Sequence, residues 1–378
     1  MPEAYTAPLI FSGHEWLVDH AVIVDGPRID SVAPLKDLPA HANLINLAQG
    51  MLVPGLIDLQ VNGGGGALLN NSPDADCVAQ ICNAHLDRGT TSLLPTLLSD
   101  TRSVTESVIA AVNSCDNPGV LGIHLEGPHF ATSRRGAHAA DRLRPLQNDD
   151  IEALCKQARN LRTVLTLAPE TATPQQISQL SAAGVMVCGG HSEATFEQAE
   201  AAIAAGLRGF THLFNAMNPF HHRFPGLVGL LSSETKLRQM GSQRPHFSLI
   251  VDGIHVHESA VCMAYNSHPD GCVLVTDAMS AMGLGDGIHA LGNMSVSIKG
   301  DRATLAGTDT LAGSVVSMNT CVRRFQEFTG CSIGEALLCA TLHPANVLNR
   351  SVMREREAPI GVLEVGARAD LVLVTDKL

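Results

Sequence analysis

The apolar positions along this chain fall into a repeating pattern. Eight short apolar runs, each stopped by a polar residue, lie at 56–62, 92–96, 120–126, 164–170, 185–191, 209–212, 247–252 and 273–277. Near-continuous apolar runs are what strands covered on both faces look like. Helical periodicity lies between many of them. Ala75, Val78, Ile81, Cys82 and Leu86 share one face before Gly89. Ile151, Leu154, Cys155 and Ala158 follow Asp149 and Asp150, which suit a helix start. Phe196, Ala199 and Ile203 follow Thr195 and end at Gly206. Eight strands alternating with helices predict an α/β fold, a (β/α)8 TIM-like barrel. The competing open, doubly wound sheet would carry GxGxxG at its first βα turn, and the glycine run 63–66 lacks that spacing. An extra hairpin is predicted at 293–305, beyond the eighth strand.

The two ends read differently from the middle. Residues 21–25 form a predicted strand, Asp25 and Gly26 a turn, and 28–32 the returning strand. Residues 361–365 and 370–374 look similar, separated by Gly366. Neither end can bury a core alone. We therefore expect them to pair into one small β-domain, 1–53 with 347–378, around a barrel spanning 54–346.

Composition narrows the function. Of 378 residues, 45% are hydrophobic and 16% charged, which excludes a disordered chain. A formal net charge of -12 demotes general nucleic-acid binding, although an anionic substrate could still meet a local basic cluster. No apolar run approaches the roughly 20 residues that span a bilayer, and residues 1–16 lack the basic start and apolar stretch of a signal peptide. Ten scattered cysteines with no CxxC pair predict reduced thiols in a cytoplasmic protein.

In this barrel the chemistry sits at the C-terminal ends of the strands. Those ends carry Gln60, Asn62, Glu126, His191, His212, Asp252 and Asp277. Taken singly, such a residue is readily explained as a cap or a loop hydrogen-bonder. Together, two histidines and a glutamate make a ligand set for a catalytic zinc. Asp277 is the carboxylate placed to move a proton. His124, two residues before Glu126, is expected to point inward as a packed layer residue. His255 and His257 have the spacing that puts two imidazoles on one side of an extended segment. Basic groups cluster at His221, His222 and Arg223, just after Asn215 and Ala216. The amides of 215–216 would add anion donors if that turn opens a helix.

PGLIDLQVNG at 54–63, LEGP at 125–128, GHS at 190–192, THLFNAM at 211–217, DGIH at 252–255, TD at 276–277 and LAGS at 311–314 occur in one order. As a set they resemble the N-acetylglucosamine-6-phosphate deacetylase family of the amidohydrolase superfamily. The resemblance implies release of acetate from a phosphorylated amino sugar. It implies one divalent metal, zinc or else iron, cobalt or manganese, on Glu126, His191 and His212, with Asp277 as base and then acid. It makes His138, in RGAH at 135–138, the group that polarises the acetyl carbonyl. It gives the sugar phosphate to Asn215, Ala216 and His255, and to Arg223 from the partner of a homodimer. It also makes the small domain a β-sandwich. The HxH of the wider superfamily is replaced by Gln60-x-Asn62, and neutral amides are poor substitutes for imidazole. A second metal is therefore not expected, nor a carboxylated lysine, since Glu170 stands at the end of strand four.

Three alternatives accompany this reading. One is the same chemistry on N-acetylgalactosamine 6-phosphate. Another is a cyclic-amide hydrolase, which would more often need two metals. The third is a non-catalytic barrel, which predicts losses among Glu126, His191, His212 and Asp277, all of which are present.

Overall fold

The computed structural model describes residues 1–241, 244–291, 294–309, 311–349 and 358–375. Eight parallel strands form one sheet in chain order: β1 (Leu56–Val61), β2 (Thr90–Leu98), β3 (Ile123–Glu126), β4 (Thr163–Leu167), β5 (Met186–Gly189), β6 (Gly209–Phe210), β7 (His246–Ile250) and β8 (Cys272–Val275). The eight apolar runs each supply one of these strands. β6 is short because the chain turns at Thr211, placing His212 in the turn itself.

The sheet closes on itself where β8 meets β1. The Asp277 N–H donates to the Gln60 carbonyl at 3.0 Å, and Val61 bridges to Ala278. Asp58 fills the seam. Its buried carboxylate accepts from the Thr276 hydroxyl (2.5 Å), the Thr276 amide and the Gln60 amide. Burial pushes Asp58 up to about 7 against the pull of those hydrogen bonds. The barrel is thus welded at the strand that carries Gln60 and Asn62.

Helices α1 (Ala75–Leu86), α2 (Arg102–Ser114), α3 (Asn148–Ala158), α4 (Pro174–Ala182), α5 (Phe196–Ala204), α6 (Glu258–Ser267) and α7 (Met318–Thr329) surround the strands. The caps read from sequence operate in part. Thr195 and Gln198 form a reciprocal capping box on α5 at 2.9 and 3.3 Å. On α3 it is Asp150, inside the first turn, that reaches back to the Gln147 amide at 3.1 Å. Val78 and Ile81 of α1, and Ile151 and Leu154 of α3, are buried in the main core.

Two four-stranded sheets form the small domain. One has the order Arg28–Pro34, His20–Asp25, Glu3–Thr6, Asn43–Asn46. The other has Leu371–Val374, Met51–Pro54, Leu9–Phe11, Trp16–Leu17. They share a core that includes Ile10, Val22, Ile29, Leu52 and Leu363. The C-terminal strand runs antiparallel to Met51–Pro54, so the two ends of the chain meet in one sheet. Residues 361–365 do not form the expected strand. Their apolar pattern arises because Val362 and Leu363 plug the core from an irregular segment, with the Leu363 amide bonded to the Ser12 carbonyl. Residues 350–357 and 376–378, assigned above to this domain, lie outside the described residues.

The expected hairpin is the centre of something larger. Gly287–Leu291, Met294–Lys299, Arg302–Leu305 and Leu311–Ser314 make a four-stranded antiparallel sheet between β8 and α7. Asn293, the first residue of the predicted hairpin, lies outside the described residues. The outer two strands were missed because short stretches around Gly285, Gly287 and Gly313 interrupt the period-two signal.

Candidate active site

His191, His212 and Asp277 follow β5, β6 and β8, and each takes a left-handed backbone conformation, with φ of 49°, 32° and 50°. Non-glycine residues avoid this region, and where they occupy it the surrounding structure enforces it. Glu126 is the last residue of β3, in register with Leu98 of β2 and Thr166 of β4. Four residues from distant parts of the chain are thereby brought to one end of the barrel.

The geometry is tight. Glu126 Oε1 lies 3.1 Å from His191 Nε2 and 2.9 Å from His212 Nε2, and the two ring nitrogens are 3.0 Å apart. His191 Nδ1 is 2.8 Å from the Arg134 carbonyl, an acceptor only, so that nitrogen carries the proton. This leaves Nε2 of His191 directed at the cluster. A carboxylate oxygen and imidazole Nε2 atoms crowded around one point, all buried, are a donor set suited to a divalent cation. Burial disfavours the Glu126 charge, but hydrogen bonds from both histidines hold it well below the usual carboxylate range. Burial likewise disfavours His212⁺, and Glu126 outweighs it and raises that pKa.

Asp277 stands beside this cluster. Gln60 Nε2 donates both to Asp277 Oδ1 and to Glu126 Oε1, each at 3.0 Å. Asn62 Nδ2 donates to the same Asp277 oxygen at 2.6 Å. The amides that replace HxH are therefore donors to the carboxylates. Burial first, and the Glu126 charge second, push Asp277 up to about 7, with His212, His255 and Asn62 pulling it back.

His138 joins from a loop after β3. Its Nε2 is 3.8 Å from Glu126 Oε2. The Ser99 N–H donates to His138 Nδ1 at 3.1 Å, which assigns the proton of the neutral ring to Nε2. Burial lowers His138 to about 4, so the ring is neutral near pH 7. Phe130 stacks on His191 and packs edge-on to His138. Ser99 and Phe130 were not singled out from sequence. Ser99 follows the apolar run of β2, but nothing in its spacing points to a histidine 39 residues away.

The remaining residues divide. His255 Nδ1 contacts Asp252 Oδ2 at 2.5 Å, and Asp252 Oδ1 accepts the amides of Ile254 and His255, both at 2.8 Å. Burial lowers the His255 pKa, but the Asp252 hydrogen bond and charge outweigh it and the net shift is upward. His257 does not pair with it, because its Nδ1 accepts the Ser259 amide and caps α6. His124 is the inward layer residue expected, between the Leu59 carbonyl and the Thr166 hydroxyl. The turn at 211–217 does not open a helix. The Asn215 amide is taken by the His212 carbonyl, and Ala216 has φ of 50°. Arg223 lies exposed on the 219–224 segment, and its guanidinium has no partner among the described residues. Glu170 accepts from Ser192 Oγ and the Glu193 amide, both at 2.6 Å, and so braces the turn after His191.

A closed barrel with a buried two-histidine, one-carboxylate cluster beside a raised aspartate defines a hydrolase class. The chain belongs to the amidohydrolase family, whose model matches residues 51–378, and a NagA composite domain model matches 4–52. This family is metal-dependent. A curated relative from Danio rerio, an N-acetylglucosamine-6-phosphate deacetylase, is 42% identical over 87% of this chain and 81% of its own length. An N-acetylgalactosamine-6-phosphate deacetylase from Shewanella sp. (strain ANA-3) is 35% identical over 87% and 80%. A solved structure of a Mycobacterium smegmatis N-acetyl-D-glucosamine-6-phosphate deacetylase mutant, in complex with N-acetyl-D-glucosamine-6-phosphate, superposes with a TM-score of 0.86 at 31% identity over 99% of this chain and 95% of that one.

Proposed function

We propose that this chain hydrolyses N-acetyl-D-glucosamine 6-phosphate to D-glucosamine 6-phosphate and acetate, as an enzyme of amino-sugar catabolism. The observation that carries the reading is the convergence of Glu126, His191 and His212 next to an aspartate held by two amide donors. The relatives' stated activities support it.

Glu126, His191 and His212 would hold one divalent cation, zinc in the first place, because two imidazoles and a carboxylate suit it; iron, cobalt and manganese fit the same donors. When bound, it supplies an acidified water and polarises the amide carbonyl. Asp277 takes a proton from the attacking water and later delivers one to the departing amine, so that C–N cleavage leaves acetate and the free amino group. Gln60 and Asn62 fix the Asp277 oxygen for both transfers. His138 donates from Nε2 to the developing oxyanion, a role its Ser99 contact prepares.

Asn215, Ala216 and His255 hold the sugar phosphate, with the Asp252 hydrogen bond and charge orienting His255 and favouring its protonated form. Arg223 reaches the phosphate of a partner's site in a homodimer. Its exposed neighbours Phe220 (48%) and Phe224 (73%) are apolar surface that a second copy would cover. The small β-domain is assigned 1–53 with 347–378, and the barrel 54–346. All ten cysteines are free, in keeping with a cytoplasmic enzyme. Among the described residues, no helix is long and apolar enough to cross a membrane.

The test is acetate release from the gluco and galacto 6-phosphates, side by side, with metal content measured on the same preparation. The galacto reading is kept because of the Shewanella relative; faster turnover of that epimer would replace the gluco assignment. Asp277→Asn should keep bound metal and lose most acetate release. Full activity in that variant would remove Asp277 from its role.

A further inference from the structure

Arg324 lies on α7, the helix that follows the inserted sheet, next to the buried stripe Cys321, Val322 and Phe325. Its guanidinium serves two acceptors. Nη1 donates to the Asp252 backbone carbonyl at 2.5 Å, and Nη2 to Asp301 Oδ2 at 2.7 Å. These acceptors belong to two different segments of the chain. Asp252 is the residue whose carboxylate fixes His255, through one contact to the ring and two to backbone amides. Asp301 sits in the turn between Met294–Lys299 and Arg302–Leu305, at the end of the inserted sheet that also carries Ser314.

That same end of the sheet is tied a second time. The Ser314 carbonyl accepts the Met279 amide at 2.9 Å, and Ser314 bridges to Ala278, the neighbour of Asp277. Its inner face packs Val296, Ile298 and Ala303 against Ala281. Lys299, Arg302 and Ser314 are cross-strand neighbours, so both ties hold the same end of the sheet, the end beside Asp277. A planar guanidinium can meet two acceptors at fixed angles, whereas an ammonium presents one compact charge.

We propose that Arg324 is a positioning residue: it sets the Asp252–His255 turn and ties it to the Asp301 turn at the end of the inserted sheet beside Asp277. The inference rests on the proposed deacetylase reading, in which His255 holds the sugar phosphate.

The experiment is a double-mutant cycle read by acetate release from N-acetylglucosamine 6-phosphate. Arg324→Gln should raise KM about tenfold, the scale of a charge-assisted hydrogen bond lost, with kcat changed less. In a His255→Gln background the same substitution should have little further effect, because Arg324 acts through that residue. Arg324→Lys, restoring the charge without the fork, should fall between. Equal fold-changes in both backgrounds, or no change in KM, would overturn the proposal. Asp301→Asn, a milder change at a partly exposed side chain, keeps the test open should Arg324→Gln fail to fold. It should raise KM by a smaller factor that also vanishes with His255→Gln, and an unchanged KM counts against the tie between the two turns. A wild-type enzyme that releases no acetate defeats the deacetylase reading itself, and is thus told apart from a failure confined to Arg324.

Discussion

Asn62→Leu isolates one hydrogen bond to Asp277, the carboxylate proposed to move the proton. Asn62 Nδ2 donates to Asp277 Oδ1 at 2.6 Å, while the Asn62 Oδ1 atom is buried without a partner. Leucine has a similar shape, so the substitution deletes the donor and an unsatisfied acceptor together. Deleting both should leave the fold near its original stability. The effect on Asp277 has a definite sign. A donor to the carboxylate favours its charged form, and Asn62 is one of the groups pulling Asp277 down from the value set by burial and Glu126. Hydrogen bonds to charged groups contribute about 1.5–3 kcal/mol. At about 1.4 kcal/mol per pKa unit, the Asp277 pKa should rise by roughly one to two units. A bound cation lowers the value in both proteins, so the difference between them is the quantity to measure. Asp277 must be ionised to accept a proton. The acidic limb of kcat/KM against pH should therefore move to higher pH by that amount, with metal content unchanged. An acidic limb that stays in place, with kcat intact, would show that Asn62 does not tune this carboxylate.

Three further outcomes follow from the geometry. Glu126→Gln should lower bound metal per chain and reduce acetate release at least about a hundredfold, because the charged ligand that both histidines face is lost; metal analysis beside the activity assay checks it. Arg223→Ala should raise KM for the phosphorylated sugar more than for N-acetylglucosamine; equal effects on both would argue against a phosphate contact. Gly127→Ala should destabilise the protein by about 1–3 kcal/mol, read as a lower Tm. Gly127 has φ of 86°, and an added Cβ would come within 2.3 Å of Ser99 Oγ and 2.8 Å of the Phe130 ring.

The barrel was legible because buried parallel strands leave a one-dimensional trace: an apolar run, then a polar residue at its end. Glu126, His191, His212 and Asp277 could be picked on that rule alone. Their convergence is a property of closure, which no local pattern reports. The Asp58–Thr276 seam joins residues 218 positions apart. Both the amide and the hydroxyl of Ser99 meet His138 Nδ1, but 39 residues separate the two, so no local pattern reports the pair. The function of Gln60 and Asn62 was half visible. Their failure as ligands could be argued from chemistry, but their service as donors to Asp277 depends on distances. Residues 361–365 misled because an apolar plug and a strand have the same composition over so few residues. His255 and His257 looked like a pair only while the segment was taken as extended; the start of α6 separates them.

The pairing of Leu371–Val374 with Met51–Pro54 also bears on biosynthesis. More than 300 residues of chain must leave the ribosome before the edge at 51–54 meets its last neighbour. Until then a row of unpaired backbone donors and acceptors stands open immediately before the first barrel strand. Nascent or truncated forms of this protein should be most prone to misassociate along that edge.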